Sequence, residues 1–399
     1  MKDLKYLYEF ENLLQEANNE LIQQAKKEGR HCLAYTCYHI PEVLLNLDNC
    51  FSTRLRAPRT GSMDIATYYM SSYLCGYSKA LVERGIEGGY HFLDAFIGSE
   101  TCSEMNRAYE HFEILGLVDN PNFFVPIIDV PFKIAPHTIK HYKQQLQTKV
   151  LDKLHEVYGV DISDDAMRKA VEEHNEVCRL ITEIGEYRKE DNPRITGYEF
   201  HVLNLISYVC PKYLIVDKLR ETAKELKTRK PDEKKNYRAK IVVVGSEMDD
   251  PDFTKLFEES GALVVADRFC FGSLPGREEI KLSDSGDVLE DIVLHYMRTS
   301  QCPRYMSHDK VEGRKTYIKQ LVDEYHAEGV VYEQLKFCEY WGYERALASH
   351  IITNDYGIPS VSVDRQYTAN ASGQLRTRIQ AFVESLEIKR IQKEKEGIS

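Results

Sequence analysis

Six of the ten cysteines stand where a chain usually presents chemistry, just past apolar strands or at the mouths of helices. They are Cys37, Cys75 and Cys102 in the first third, and Cys270, Cys302 and Cys338 in the last third. Their spacings are 38 and 27 residues, then 32 and 36, far too long for a zinc knuckle. They suit a metal–sulfur cluster assembled from distant loops, because thiolate sulfur is soft and ligates iron well. A helix N-terminus is expected to lower a thiol's pKa and favour the anion. A four-iron cubane ordinarily takes four cysteines. Three would leave one iron open to substrate, by the open-position logic of catalytic zinc. The competing reading of any one of these residues is a packed core thiol.

The surrounding segments read as strands alternating with helices. Residues 1–29 look helical. HCLAYTCYHIP reads as a buried strand ending near Cys37, with a helix from Pro41. DIATYYMSSYLCGYSKALVERG reads as one helix carrying Cys75. HFLDAFIGSETCSEMNRAYEHF reads as a strand ending near Gly98, a loop, and a helix from about Cys102. NFFVPIIDVP is a further buried strand. This alternation indicates a parallel, doubly wound sheet. From about His137 to Arg229 the pattern turns helical. Met167, Ala170, Val171, Val177, Cys178, Ile181 and Ile184 form an apolar stripe at helical spacing, which makes Cys178 a packing residue. The charged run KTRKPDEKKNYR (227–238) reads as a solvated boundary loop.

A second unit follows the same plan. KIVVVGSEMDDPDFTKLFEESGALVVADRFCFGS reads strand–helix–strand with Cys270 after the second strand. GVVYEQLKFCEYWGYERALASHII places Cys338 between a strand and a helix. IPSVSVDR and SGQLRTRIQAFVESLEIKRIQKEKE complete the unit as strand and terminal helix. The expected organisation is α/β. Residues 1–136 form an N-terminal helix and first Rossmann-like lobe, 137–237 a helical insert, and 238–399 a second lobe with a C-terminal helix.

Composition narrows the function. At 399 residues, two domains are more natural than one core. The chain is 43% hydrophobic and 29% charged, as an ordinary globular protein is. Its 52 basic and 63 acidic residues give a net charge of −11, which argues against a nucleic-acid surface. No apolar run reaches the ~18 residues of a membrane span, and the charged N-terminus lacks a signal-peptide core. The expected compartment is the cytoplasm, where ten cysteines stay reduced. The dinucleotide fingerprint is missing after VVVG, and there is no Walker loop, G-x-S-x-G elbow or H-E-x-x-H helix. His31, His39, His91, His201 and His350 border apolar segments and read first as structural histidines. Glu42 and His39, close behind Cys37, are candidates for proton transfer. For Glu42 the plain alternative is a carboxylate on a helix dipole. Arg376 and Arg378 read as holding the terminal helix through ion pairs.

LKFCEYWGYE (336–345), preceded by GVVY and followed by IPSVSVDRQYTANASGQLRTRIQAFVESL, resembles the C-terminal region of the 2-hydroxyacyl-CoA dehydratase and benzoyl-CoA reductase family. The likeness continues in YTCYHIPEVLL (35–45), TCSEMNR (101–107), HNEVCRLITEI and DRFCFGS (267–273), so it covers nearly the whole chain. The resemblance implies two Rossmann-like lobes with parallel sheets facing across a cluster cleft. It implies that Cys75, Cys102 and Cys338 hold a 4Fe–4S cubane. It also implies pairing with a second family chain, identical or homologous, and electrons from a separate ATP-hydrolysing iron–sulfur activator.

Cys37, Cys270 and Cys302 go beyond the usual trio. A branch of the family carries a double-cubane 8Fe–9S cluster held by six cysteines, and three plus three is the count it needs. Two enzyme readings follow. One is a low-potential iron–sulfur reductase acting on small unsaturated substrates. The other is an (R)-2-hydroxyacyl-CoA dehydratase subunit with a single cubane, in which the open iron binds the acyl-CoA carbonyl and hydroxide leaves a ketyl radical. An electron-storing or structural partner without its own substrate is the third reading.

Overall fold

A computed structural model describes residues 1–273, 278–284, 286–368 and 372–395. Four strands build the first sheet: β1 (His31–Tyr35), β2 (Cys50–Arg54), β3 (Ala95–Ser99) and β4 (Ile127–Ile128). They run parallel in the order β2-β1-β3-β4. The second sheet repeats that order with β5 (Ala239–Glu247), β6 (Ala262–Cys270), β7 (Gly329–Leu335) and β8 (Ser360–Arg365), arranged β6-β5-β7-β8 and all parallel. Parallel strands need crossovers that cover both faces, so the central strands β1, β3, β5 and β7 carry apolar side chains on both sides. Along β1, Cys32 and Ala34 enter one apolar cluster while Leu33 and Tyr35 enter another. Along β5, Ile241 and Val243 face one side, and Val242 and Val244 the other. The chain is therefore α/β with two Rossmann-like lobes.

Several elements depart from the sequence reading. The first 29 residues form two helices, Leu7–Leu13 and Glu20–Lys27, because the Asn19 side chain accepts from the N–H groups of Leu21 and Ile22 and starts a new helix. Only a short 3₁₀ turn, Glu42–Leu45, follows Pro41. The 64–86 stretch is broken: Asp64–Met70 ends at Ser71, whose φ of 85° turns the chain out, and Gly76–Ile86 starts afresh. Strand β2 and the helices Val288–Thr299 and His308–Glu324 had no clear signature, and β4 is shorter than NFFVPIIDVP suggested. In the quoted C-terminal motif, residues 369–371 lie outside the described residues.

The helical region runs from Pro136 to Thr228. Its long helix, Asp164–Glu186, is capped by the Ser163 side chain on Ala166 N–H, and Cys178 is buried on its inner face as expected. Helix Gly197–Val209 is buried almost all round and touches both β2 and β6, so it wedges the lobes together. A capping box of Thr196 and Glu199 starts it. Its first N–H groups, from Gly197 and Tyr198, donate to half-buried Glu258 at 2.7 and 3.2 Å. Helix Val288–Thr299 is encoded between β6 and β7 yet packs into an apolar cluster of the first lobe. The terminal helix Ser372–Lys395 is tied by Arg376 to Glu259 at 2.8 Å and by Arg378 to the Ser362 carbonyl at 2.7 Å. No helix among the described residues is long and apolar enough to cross a membrane.

Two outcomes test this packing. A Cβ on Gly197 would stand 2.4 Å from the Val264 carbonyl oxygen, so Gly197→Ala is expected to cost about 1–3 kcal/mol in urea unfolding. An unchanged midpoint would show the wedge to be loose. Burial raises the Glu258 carboxyl from 4.5 to about 7, against the pull of its backbone donors. A carboxyl with a raised folded-state value binds its proton more tightly when folded. Its contribution is full below the unfolded value and is lost as pH rises toward the folded one. Wild type is thus expected to lose stability relative to Glu258→Gln between pH 4.5 and about 7. Parallel stability curves over that window would contradict the assignment.

Candidate functional site

In open parallel sheets, ligands gather beyond the carboxyl ends of the strands, where the strand order reverses. The thiols fall there. Cys37 follows β1, Cys102 follows β3, Cys270 ends β6, and Cys338 follows β7. Cys75 and Cys302 arrive on connections between strands.

Cys75, Cys102 and Cys338 share one local design. Each is the N-cap of a helix: Gly76–Ile86, Ser103–Ile114 and Glu339–Asn354. The carbonyl of each accepts the first helical bond, from Lys79, Asn106 and Gly342 N–H. An N-cap usually carries an oxygen side chain. Here a thiol stands in that place, leaving sulfur at the positive end of a helix. The placement of Cys75 corrects the sequence reading of a residue inside a helix. Phe337, just before Cys338, has a left-handed φ of 72°, and Phe271, just after Cys270, has 65°. Such backbone strain at bulky residues collects at functional sites.

The expected lowering of thiol pKa does not occur, because burial outweighs the helix ends. Cys75 is pushed up to about 12 by desolvation, although the Ser78 N–H favours its anion. Burial also pushes Cys102 and Cys338 well up, against Met105 and Trp341 N–H. The charge of Cys75 raises both of them further. Cys102 Sγ also donates to Glu104 Oε2 at 2.8 Å.

The other three thiols form a second group. Cys270 is driven well up by burial, then by Glu247, with Cys302 and Cys37 among its neighbours. Cys302 is pushed up to about 12 by burial and then by Cys37. Thr101 donates to Cys37 Sγ at 3.7 Å. The two groups adjoin, since Tyr109 lies in the field of Cys37 and Cys102, and Tyr340 in that of Cys102 and Cys302. Cys302 reaches this place because Arg304 Nη2 donates to the carbonyls of Val130 (2.6 Å) and Glu100 (3.3 Å) in the first lobe.

Sequence reasoning missed the cations around this second group. Arg268, Arg304 and Arg314 are at most 2% exposed. Arg314 makes a two-pronged bond to Glu344 at 2.9 and 3.0 Å, and Arg268 shares the same carboxylate at 3.6 Å. Nε and Nη1 of both Arg268 and Arg304 find no hydrogen-bond partner among the described residues. Arg54, also buried, faces Glu247 at 3.9 Å and lies over the Phe271 ring at 4.0 Å. Arginines scattered through a sequence look like surface residues, so no linear signal marks this cluster.

The two proton-transfer candidates part company. His39 is buried with its ring edge-on to Tyr305, and burial, then Arg304, lowers its pKa to about 3. Glu42 is buried in a charged knot. Its oxygens lie 3.3 Å from His174 Nδ1 and 3.4 Å from Lys212 Nζ, and Tyr35 OH donates to it. His174 Nε2 in turn lies 3.4 Å from Cys178 Sγ. A cavity of about 20 Å³ touches Tyr35, Glu42, Arg54, His174 and Tyr296, which is room for one water. His201 has both ring nitrogens bonded, to Thr254 and the Met248 carbonyl, and is structural. A cavity of about 730 Å³ between helices Asp164–Glu186 and His308–Glu324 is lined by none of the six thiols.

Among the described residues, no three His, Cys, Asp or Glu side chains converge tightly enough to hold a single metal ion. A cluster does not require that, because each thiolate binds a different iron and the ligands surround a volume. Partly buried thiols beside more arginines than carboxylates fit such a group. A bound metal deprotonates its thiols outright, and the anionic assembly matches the cations.

Residues 37–386 match the family model described as 2-hydroxyglutaryl-CoA dehydratase, D-component. The chain is 21% identical over 383 residues to the (R)-phenyllactyl-CoA dehydratase beta subunit of Clostridium sporogenes, covering 96% of this chain and 99% of that one. It is 20% identical to a benzoyl-CoA reductase subunit of Thauera aromatica, covering 90% and 92%. It is 21% identical to the (R)-2-hydroxyglutaryl-CoA dehydratase beta subunit of Acidaminococcus fermentans, covering 92% and 95%. With that match spanning most of its length, the chain belongs to the 2-hydroxyglutaryl-CoA dehydratase D-component family.

Proposed function

We propose that this chain is the cluster-carrying component of a low-potential reductase, with six thiolates holding an 8Fe–9S double cubane. The observation that carries this is the sorting of the six thiols into two adjoining trios: Cys75, Cys102 and Cys338, then Cys37, Cys270 and Cys302. When bound, such a cluster supplies electrons one at a time at low potential. The chain's own residues do the rest. The three helix N-termini aim N–H groups at the first trio, and Arg54 and Arg304 face the second. Glu42 holds or passes a proton at its Oε atoms, in contact with His174, Lys212 and Tyr35. His39, held neutral by burial beside Arg304 and Tyr305, is the second candidate for proton transfer, apart from the Glu42 knot.

Electrons come from a separate ATP-hydrolysing activator, and the substrate is a small unsaturated molecule. The relatives are named as subunits, which supports assembly with a second family chain, a copy or a homologue. The ten cysteines are free thiols, the form a reducing cytoplasm maintains, and the cytoplasm is the setting of this reading. The relatives' names also support a second reading: a 2-hydroxyacyl-CoA dehydratase subunit with one 4Fe–4S cubane on Cys75, Cys102 and Cys338, acting on an acyl-CoA.

Iron and sulfide analysis of anaerobically purified protein separates these readings. About eight irons per chain is expected, whereas about four selects the single cubane and none rejects both. Cys270→Ala is expected to reduce the iron count, and unchanged iron would remove Cys270 from the ligands. Glu42→Gln is expected to keep its iron and lose about 10²–10⁴-fold in steady-state turnover, the usual range for a lost proton-transfer group. Full turnover in a loaded variant would return Glu42 to a structural role.

A further inference from the structure

We propose that the buried arginines beside Cys302 make the Cys37–Cys270–Cys302 end of the cleft the place where an added electron rests. This rests on the double-cubane reading and adds a direction to it.

The two trios share Glu247 but differ in their cations, which gather at the second. Arg268, Arg304 and Arg314 are all buried, and Glu344 serves two of them, bonded to Arg314 at 2.9 Å and 3.6 Å from Arg268. Arg304 spends one nitrogen on the Val130 and Glu100 carbonyls. Arg304 Nε and Nη1 and Arg268 Nε have no hydrogen-bond partner among the described residues, and Arg268 Nη1 meets Glu344 only at 3.6 Å. Arg268 also donates to the Gln301 carbonyl, next to Cys302. Arg54 adds a fourth buried cation on the Cys270 side, with Glu247 3.9 Å away. At the other end, carboxylates outweigh cations: Glu104 touches Cys102 at 2.8 Å, and Glu247, which also acts on Cys270, acts on Cys75 and Cys338, while buried Lys79 lies in the field of Cys75.

Buried guanidinium is costly unless an anion meets it. A cluster that gains an electron becomes more negative, so nearby cations stabilise its reduced form and nearby carboxylates oppose it. Local net charge is a main determinant of iron–sulfur reduction potential. The step is simple to balance. A one-electron donor loses one electron, the group on the second trio gains it, and no bond forms or breaks. The first trio, with no buried arginine described against it, is then the lower-potential end, better suited to pass the electron onward than to keep it. Arg304 is a positioning residue, acting through charge and through the loop that bears Cys302.

The test is a potentiometric titration of the full chain, loaded anaerobically, with titanium(III) citrate as donor and electron paramagnetic resonance as readout. Wild type with about eight irons is expected to give two one-electron midpoints. Arg304→Gln is expected to shift the upper midpoint to lower potential and leave the lower one in place, while Arg304→Lys restores the wild-type value. Midpoints that stay put, or move together, overturn the assignment. If Arg304→Gln sheds iron, Arg314→Gln removes a charge of the same group from a neighbouring helix and must shift the same midpoint; no shift there also overturns it. About four irons in wild type sinks the double cubane and this inference together. Eight irons with unmoved midpoints sinks this inference alone.

Discussion

A cation taken out of water must meet an anion, and this chain buries more arginines than carboxylates beside Cys302. Arg268 and Arg314 share Glu344, Arg304 bonds backbone carbonyls and lies over the Phe132 ring with no carboxylate against it among the described residues, and Arg54 faces Glu247 at the edge of ion-pairing range. Such pairs are poor stabilisers, since desolvation cancels much of their attraction, while breaking one costs about 3–5 kcal/mol. Their presence makes sense as a standing field for something anionic. The thiols around them carry the complementary deficit: burial favours the protonated form of Cys270 and Cys302. Neither half is comfortable alone, and the apolar packing of the two lobes holds both in place.

The fold supplies the convergence. Two sheets with the same strand order each offer a crevice past their carboxyl ends, and four of the thiols sit on those ends. Helix Gly197–Val209, apolar on nearly every side, binds the sheets through β2 and β6. The remaining thiols depend on connections. Cys75 is released from its helix by the left-handed turn at Ser71, and Cys302 is carried across by helix Val288–Thr299.

Much of this could be read from sequence. Apolar runs such as KIVVVG and GVVY marked buried parallel strands, and cysteines just past them marked the crevice. What stayed hidden was mostly long-range. Helical periodicity runs unbroken through 64–86, so nothing local announced the break that makes Cys75 an N-cap. The five residues of β2 include Ser, Thr and Arg and gave no strand signal. The expected lowering of thiol pKa failed because it weighed a helix end without knowing the depth of burial. Glu42 showed its character only once His174 and Lys212, from two distant helices, were seen against it.

Helix Val288–Thr299 has a consequence in time. It belongs to the second half of the chain but is part of the first lobe's core, and the Arg304 bonds that follow it hold Cys302 to that lobe. The first lobe is therefore unfinished when the ribosome has made only the first half. Contacts this far apart in sequence form late and slowly. A nascent chain exposing Cys37, Cys75 and Cys102 cannot close around a shared group until residues 288–338 have emerged. Assembly of the thiol site thus waits for the last third of the chain, and a chain truncated before Cys270 keeps only Cys37, Cys75 and Cys102 of the six.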